Sequence, residues 1–151
     1  MNNKEYVLVY GSLREKMYNH RLIERIGKKL IANNIVIDGY TMKDLGAFPG
    51  LIKGDNKILC ELYETTKDDI ERSFDRLEGY DRLNPKRSFY IREYIDLPNK
   101  IKVDDKEISK AYIYSLNEDT ESNERYHSLD NVTKNEDGIQ DWVKYKLGKW
   151  N

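Results

Sequence analysis

Residues 6–14 read Tyr-Val-Leu-Val-Tyr-Gly-Ser-Leu-Arg, an apolar run stopped at once by a glycine and a serine. The run is too short for an amphipathic helix and, apart from Leu8, is built of β-branched and aromatic side chains. It predicts a buried central strand ending near Tyr10. Everything downstream is constrained by that ending. Gly11 permits either a turn with positive φ or the close approach of another group. The N–H groups of Gly11, Ser12 and Leu13 can then converge on one point, a concave donor site for an anion or a developing oxyanion. A plain strand-to-helix turn accounts for the same letters.

The chain has 151 residues, enough for one domain with a sizeable core, and a single domain over 1–151 is the expected organisation. Charged residues make up 35% of it, yet the formal net charge is -1, so no field favours nucleic acid or anionic lipid as a partner. The single cysteine, Cys60, rules out an internal disulfide and reads as a strand thiol rather than a nucleophile. With no visible signal peptide or membrane span, the expectation is a cytoplasmic protein with no membrane partner.

Other chemistries find little support. His20 and His127 are far apart and neither has a second ligand at metal-binding spacing. Gly11-Ser12-Leu13 lacks the second glycine of a nucleophile elbow, and neither a Walker loop nor a dinucleotide fingerprint is present. Arg82, Lys86 and Arg87 read as a solvated basic loop.

Along the chain, apolar spacing predicts a helix over 19–31 and a strand at 35–37 that ends at Asp38-Gly39 and continues over 40–43 past a bulge. Residues 46–50 are turn chemistry, and 57–65 alternate as a strand. Thr66 can cap a helix whose first turn carries Asp68, Asp69 and Glu71 and whose Ile70, Phe74 and Leu77 share a face; it should end near Glu78, before Gly79. Strands follow at 89–97 and 111–116, with a hairpin turning at Asp104-Asp105. Residues 117–138 are polar and read as a long loop or a partly disordered segment, and Ile139, Trp142, Val143 and Leu147 are spaced like a docking terminal helix. The sum is a β-rich α+β domain of six or seven strands and about three helices.

Glu78 stands out on physical grounds. It follows Leu77 at the negative end of a helix and beside apolar surface, and both effects disfavour the ionised form. A carboxylate raised toward neutral pH can serve as a general base and then as a general acid. A solvated glutamate at a frayed helix end is the plainer alternative.

Taken as a set, Val9-Tyr10-Gly11-Ser12-Leu13-Arg14, Asn19-His20-Arg21-Leu22, Phe48-Pro49-Gly50-Leu51, Glu61-Leu62-Tyr63, Leu77-Glu78-Gly79-Tyr80, Tyr90-Ile91-Arg92 and Ala111-Tyr112-Ile113-Tyr114 occur in a telling order. The chain resembles the gamma-glutamylcyclotransferase-like family over about residues 6–116, and within it the gamma-glutamylamine cyclotransferase and avirulence-induced-gene-like branch. The resemblance implies a small mixed β-barrel flanked by helices. It implies that Glu78 is the catalytic acid/base and that Tyr10, Gly11, Ser12 and Leu13 bind the substrate. It also implies a reaction without cofactor or metal, in which a small gamma-glutamyl amide closes to oxoproline and releases an amine. The 82–88 loop and the polar tail after Leu116 depart from the family pattern and leave the leaving group open. A small-ligand binding or sequestering protein on the same fold is the alternative.

Overall fold

The structure, a computed structural model, describes residues 4–11, 13–14, 17, 20–21, 29–81, 83–84, 86, 88–118 and 123–149. Its strands are β1 (Lys4–Val9), β2 (Lys29–Asp44), β3 (Pro49–Lys53), β4 (Asn56–Thr66), β5 (Tyr90–Val103), β6 (Lys106–Leu116) and β7 (Ile139–Gln140). They form one mixed sheet of order β3-β2-β4-β1-β6-β5, with β7 beside β4. β1 runs antiparallel to β4 and parallel to β6, so the expected central strand is indeed interior. Val7 and Leu8, at 0% and 1% exposure, face opposite sides of the sheet, and both sides are therefore packed.

The sheet is curled rather than closed. Three register shifts interrupt the pairing of β2 with β4, and each bulge bends the longer strand. The curl brings the two ends of the sheet together through side chains instead of a backbone ladder. Tyr90 of β5 donates its hydroxyl proton to the carbonyl of Pro49 in β3 at 2.6 Å, and Tyr40 of β2 donates to Glu93 of β5 at 2.6 Å.

Among the described residues, helix α1 joins β4 to β5 in the chain and packs Ile70 and Phe74 against Val7, Val9 and Tyr114 of the sheet. It is α-helical over Lys67–Asp69, π-helical over Ile70–Phe74 and α-helical again over Asp75–Leu77. Thr66 caps it as expected, its hydroxyl accepting from the Asp69 N–H at 3.1 Å. α2 (Asn123–Ser128) packs into the cluster that holds Phe74 and Tyr90, and α3 (Trp142–Lys149) into the one that holds Leu8 and Ile58. Tyr126 and Trp142, at 6% and 0% exposure, are their anchors.

Three local expectations are corrected. Leu30 and Ile31 belong to β2, not to a helix over 19–31; His20 and Arg21 are helical, and residues 22–28 lie outside the described residues. The bulges around Ala32 break the alternation that would have marked β2. Pro49 and Gly50 open strand β3 instead of completing a loop, and only Gly46 of the glycines there has positive φ, at 98°. Of the polar stretch 117–138, residues 119–122 lie outside the described residues, and 123–138 are tied down by α2, by buried Val132 and by bridges Lys43↔Asn131 and Lys134↔Gln140. Gln140 joins Val132 to β2: its side-chain amide donates to the carbonyls of Met42 and Val132 at 3.0 and 2.7 Å and accepts from the Met42 N–H at 2.6 Å.

Candidate active site

Beyond the tip of β1 the chain turns, the Arg14 N–H donating to the carbonyl of Gly11 at 3.0 Å. Gly11 does not adopt positive φ. Its requirement is spatial, since a β-carbon there would lie 2.7 Å from Cγ and Cδ of Pro49. The turn is pinned at Arg14, which is 7% exposed; its Nε donates to Glu61 at 3.0 Å and its Nη1 to Asp141 at 2.7 Å. Tyr63 donates to the other oxygen of Glu61 at 2.9 Å, so every member of this buried charged cluster has a partner. The Leu13 carbonyl is met by the His20 ring at 2.9 Å. In the sequence Arg14 and Glu61 stand only as motif letters, and no local pattern announces this clamp.

Opposite the turn, α1 ends in a glycine cap of the Schellman type. The Tyr80 N–H donates to the Asp75 carbonyl at 2.8 Å, the Gly79 N–H to Arg76 at 3.3 Å, and Gly79 has φ of 65°. Glu78 is the last residue before the reversal, at φ -86° and ψ 0°. Which side chain faces inward is decided by the π turn. The Asp75 N–H bonds to Ile70 five residues back, which retards the helix by most of a residue relative to an uninterrupted α-helix. Glu78 thereby joins Phe74 on the cavity wall, while Leu77, expected to share the buried face of Ile70 and Phe74, reaches only the rim of the cavity at 42% exposure. Asp75 is buried by the same rotation and accepts from Arg92 at 2.8 Å and from the Tyr114 hydroxyl.

The turn and the helix end enclose a cavity of about 310 Å³ lined by Tyr10, Gly11, Leu13, Pro49, Phe74, Glu78, Tyr90 and Tyr114 among others. The structure thus brings together four of the five site residues expected from sequence, Tyr10, Gly11, Leu13 and Glu78; Ser12 lies outside the described residues. Burial pushes the Glu78 carboxyl up to about 7, and no cation among the described residues opposes that shift. Burial, reinforced by neighbouring tyrosine and Glu78, likewise holds the phenol of Tyr10 well above its ordinary value. Burial and Glu78 do the same for Tyr90. Both phenols stay protonated and spend their protons on the backbone, Tyr10 on the carbonyl of Tyr114 and Tyr90 on that of Pro49. They fix the walls of the cavity and leave Glu78 as its one group poised to exchange a proton near neutral pH among the described lining residues.

Cys60 is fully buried in β4 and its thiol is pushed up to about 12 by that burial, which fits the structural reading. Among the described residues no cluster of His, Cys, Asp and Glu is arranged to hold a metal. No helix there is long and apolar enough to cross a membrane.

The architecture is shared with solved structures. The uncharacterised protein PH0828 from Pyrococcus horikoshii is 18% identical and superposes with a TM-score of 0.63, over 97% of this chain and 96% of that one. Protein ytfP from Escherichia coli gives 21% identity and a TM-score of 0.57 over 93% and 98%. An AIG2-like protein from Mus musculus gives 14% and 0.61 over 85% and 86%. No curated protein matches the chain. Residues 7–136 match the family model described as gamma-glutamyl cyclotransferase, AIG2-like, a span that takes in the Gly11 turn, Glu78 and every strand of the sheet but β7 and the first residues of β1, and the chain belongs to that family.

Proposed function

We propose that this protein is a cyclotransferase that converts a gamma-glutamyl amide into oxoproline and a free amine, with Glu78 as its acid/base. The observation that carries the reading is the placement of a carboxyl raised to about 7, with no counter-ion among the described residues, across one cavity from the Gly11 turn.

The reaction needs few protein groups because nucleophile and electrophile belong to one molecule. Holding the bent conformer in which the α-nitrogen faces the side-chain carbonyl is worth an effective molarity on the order of 10⁵ M. The C–N bond of the lactam forms as the C–N bond to the leaving amine breaks. Of the three protons on the α-ammonium, one stays on the ring nitrogen and two end on the departing amine. Glu78 carries these protons, a role worth roughly 10²–10⁴-fold in rate, and a pKa near the working pH suits both directions of transfer. Tyr10, Gly11, Ser12 and Leu13 would hold the glutamyl carboxylate through the backbone of the turn, which the Arg14 clamp keeps rigid.

The test is incubation with gamma-glutamyl amides and gamma-glutamyl dipeptides and detection of oxoproline by mass spectrometry. Release of stoichiometric oxoproline and amine supports the reading; tight retention of intact ligand with no oxoproline would replace it with a sequestering protein.

A further inference from the structure

The cavity is asymmetric in a way that sorts the two halves of a substrate. Its inner lining, Leu8, Val9, Tyr10, Leu13, Phe74, Tyr90 and Tyr114, is buried, with exposures between 1% and 7%. Its mouth is formed by Phe48, Leu77 and Phe89, the last two exposed to 42% and 39%. Glu78 stands between the two zones, because on the same cavity wall it follows Leu77 in the chain and precedes Gly79, where an added β-carbon would lie 3.4 Å from Cβ of Phe89. Phe89 in turn packs edge-on against Phe48 at 6.0 Å, Tyr90 at 5.0 Å and Tyr126 at 6.2 Å, so it is held in place as a wall.

Resting on the cyclotransferase reading, we infer that the mouth is a leaving-group subsite formed by Phe48, Leu77 and Phe89, and that it takes amines bearing an uncharged aliphatic or aromatic substituent. The bond that breaks must lie within reach of Glu78, and the glutamyl half must sit inward, against the Gly11 turn. The amine half then has one way out, across the three apolar side chains. An aliphatic or aromatic group there removes apolar surface from water on both partners. A carboxylate on the leaving group would be desolvated beside apolar walls and repelled by ionised Glu78. A cation would likewise lose its hydration beside Phe48, Leu77 and Phe89, with no acceptor among these three side chains to replace it.

The experiment separates this subsite from the chemistry. Calorimetric affinities of the Glu78→Gln protein, which lacks the Glu78 charge and is expected to turn over at least about 10²-fold more slowly, are measured for gamma-glutamyl benzylamide, gamma-glutamyl isobutylamide, gamma-glutamylglycine and gamma-glutamylputrescine. The benzylamide and isobutylamide are expected to bind about tenfold or more tightly than the two charged compounds. Leu77→Ser, at an exposed position, and Phe89→Ala are each expected to shrink that ratio. Equal or reversed affinities, no binding of any compound, or a ratio indifferent to both substitutions overturns the subsite. Oxoproline formation by the unsubstituted protein is followed separately. Its absence from all four compounds overturns the cyclotransferase reading, while the affinity order still decides the subsite.

Discussion

The guanidinium of Arg92 lies 2.8 Å from the carboxylate of Asp75, three residues ahead of Glu78 on the same helix. The same guanidinium sits over the rings of Tyr80 and Tyr112 at 5.2 and 5.3 Å, and Tyr114 donates to the second oxygen of Asp75. The end of α1 is thus tied to β5 and β6, and with it the position of Glu78. Arg92→Leu leaves Asp75 buried with one partner, and a loss on the order of 2–4 kcal/mol in denaturant unfolding is expected. A change within a few tenths of a kcal/mol, which is usual for a surface ion pair, would show that the pair does not hold the helix.

Gly11 and Pro49 form a second contact that cannot be enlarged. Because a β-carbon on Gly11 would lie 2.7 Å from the Pro49 ring, Gly11→Ala should cost about 1–3 kcal/mol and Gly11→Val more. Both should weaken ligand binding by displacing the turn. Pro49→Ala in the same chain should return part of the Gly11→Ala loss, and a double-mutant cycle measures the coupling. Strict additivity would mean that Gly11 matters only as a turn residue.

The cap that presents Glu78 depends on a left-handed residue. Gly79 has φ of 65° and enough room for a methyl group, so the cost of Gly79→Ala is conformational and should be about 1–2 kcal/mol. Activity should fall by more than this stability loss explains, since relaxing the cap moves the neighbouring carboxyl.

Burial of Glu78 makes a signed prediction about stability and pH. Its carboxyl is raised to about 7 from the ordinary 4.5, so the folded state prefers the protonated form. The stability this contributes is full below pH 4.5 and is lost as pH rises through about 7. Glu78→Gln removes the titrating group. The substituted protein should therefore be more stable than the parent at pH 8, by up to about 2–3 kcal/mol, with the difference closing by pH 4. A gap independent of pH would place Glu78 in solvent.

How much of this was legible beforehand follows the locality of each signal. Strand β1, the Thr66 cap, the stop at Gly79 and the hairpin at Asp104 and Asp105, which have φ of 49° and 64°, are written in neighbouring residues and were read correctly. The association of Glu78 with the Tyr10 turn came from the order of motifs. What escaped is set at a distance or by irregularity. Bulges around Ala32 disguised β2, and the π turn shifted the inward face from Leu77 to Glu78 without altering the local pattern. The Arg14 clamp depends on Asp141, 127 residues away, and no period in the sequence signals such a partner.

The central claim is that Glu78 moves the proton. Glu78→Gln is nearly isosteric and cannot exchange one, so the substituted protein should retain the fold by circular dichroism and still bind gamma-glutamyl amides. Its single-turnover release of oxoproline should fall by at least about 10²-fold, while the parent's rate rises with pH through about 7 as the carboxyl ionises. Oxoproline released by Glu78→Gln at the parent's rate, from any amide the parent accepts, would contradict the assignment.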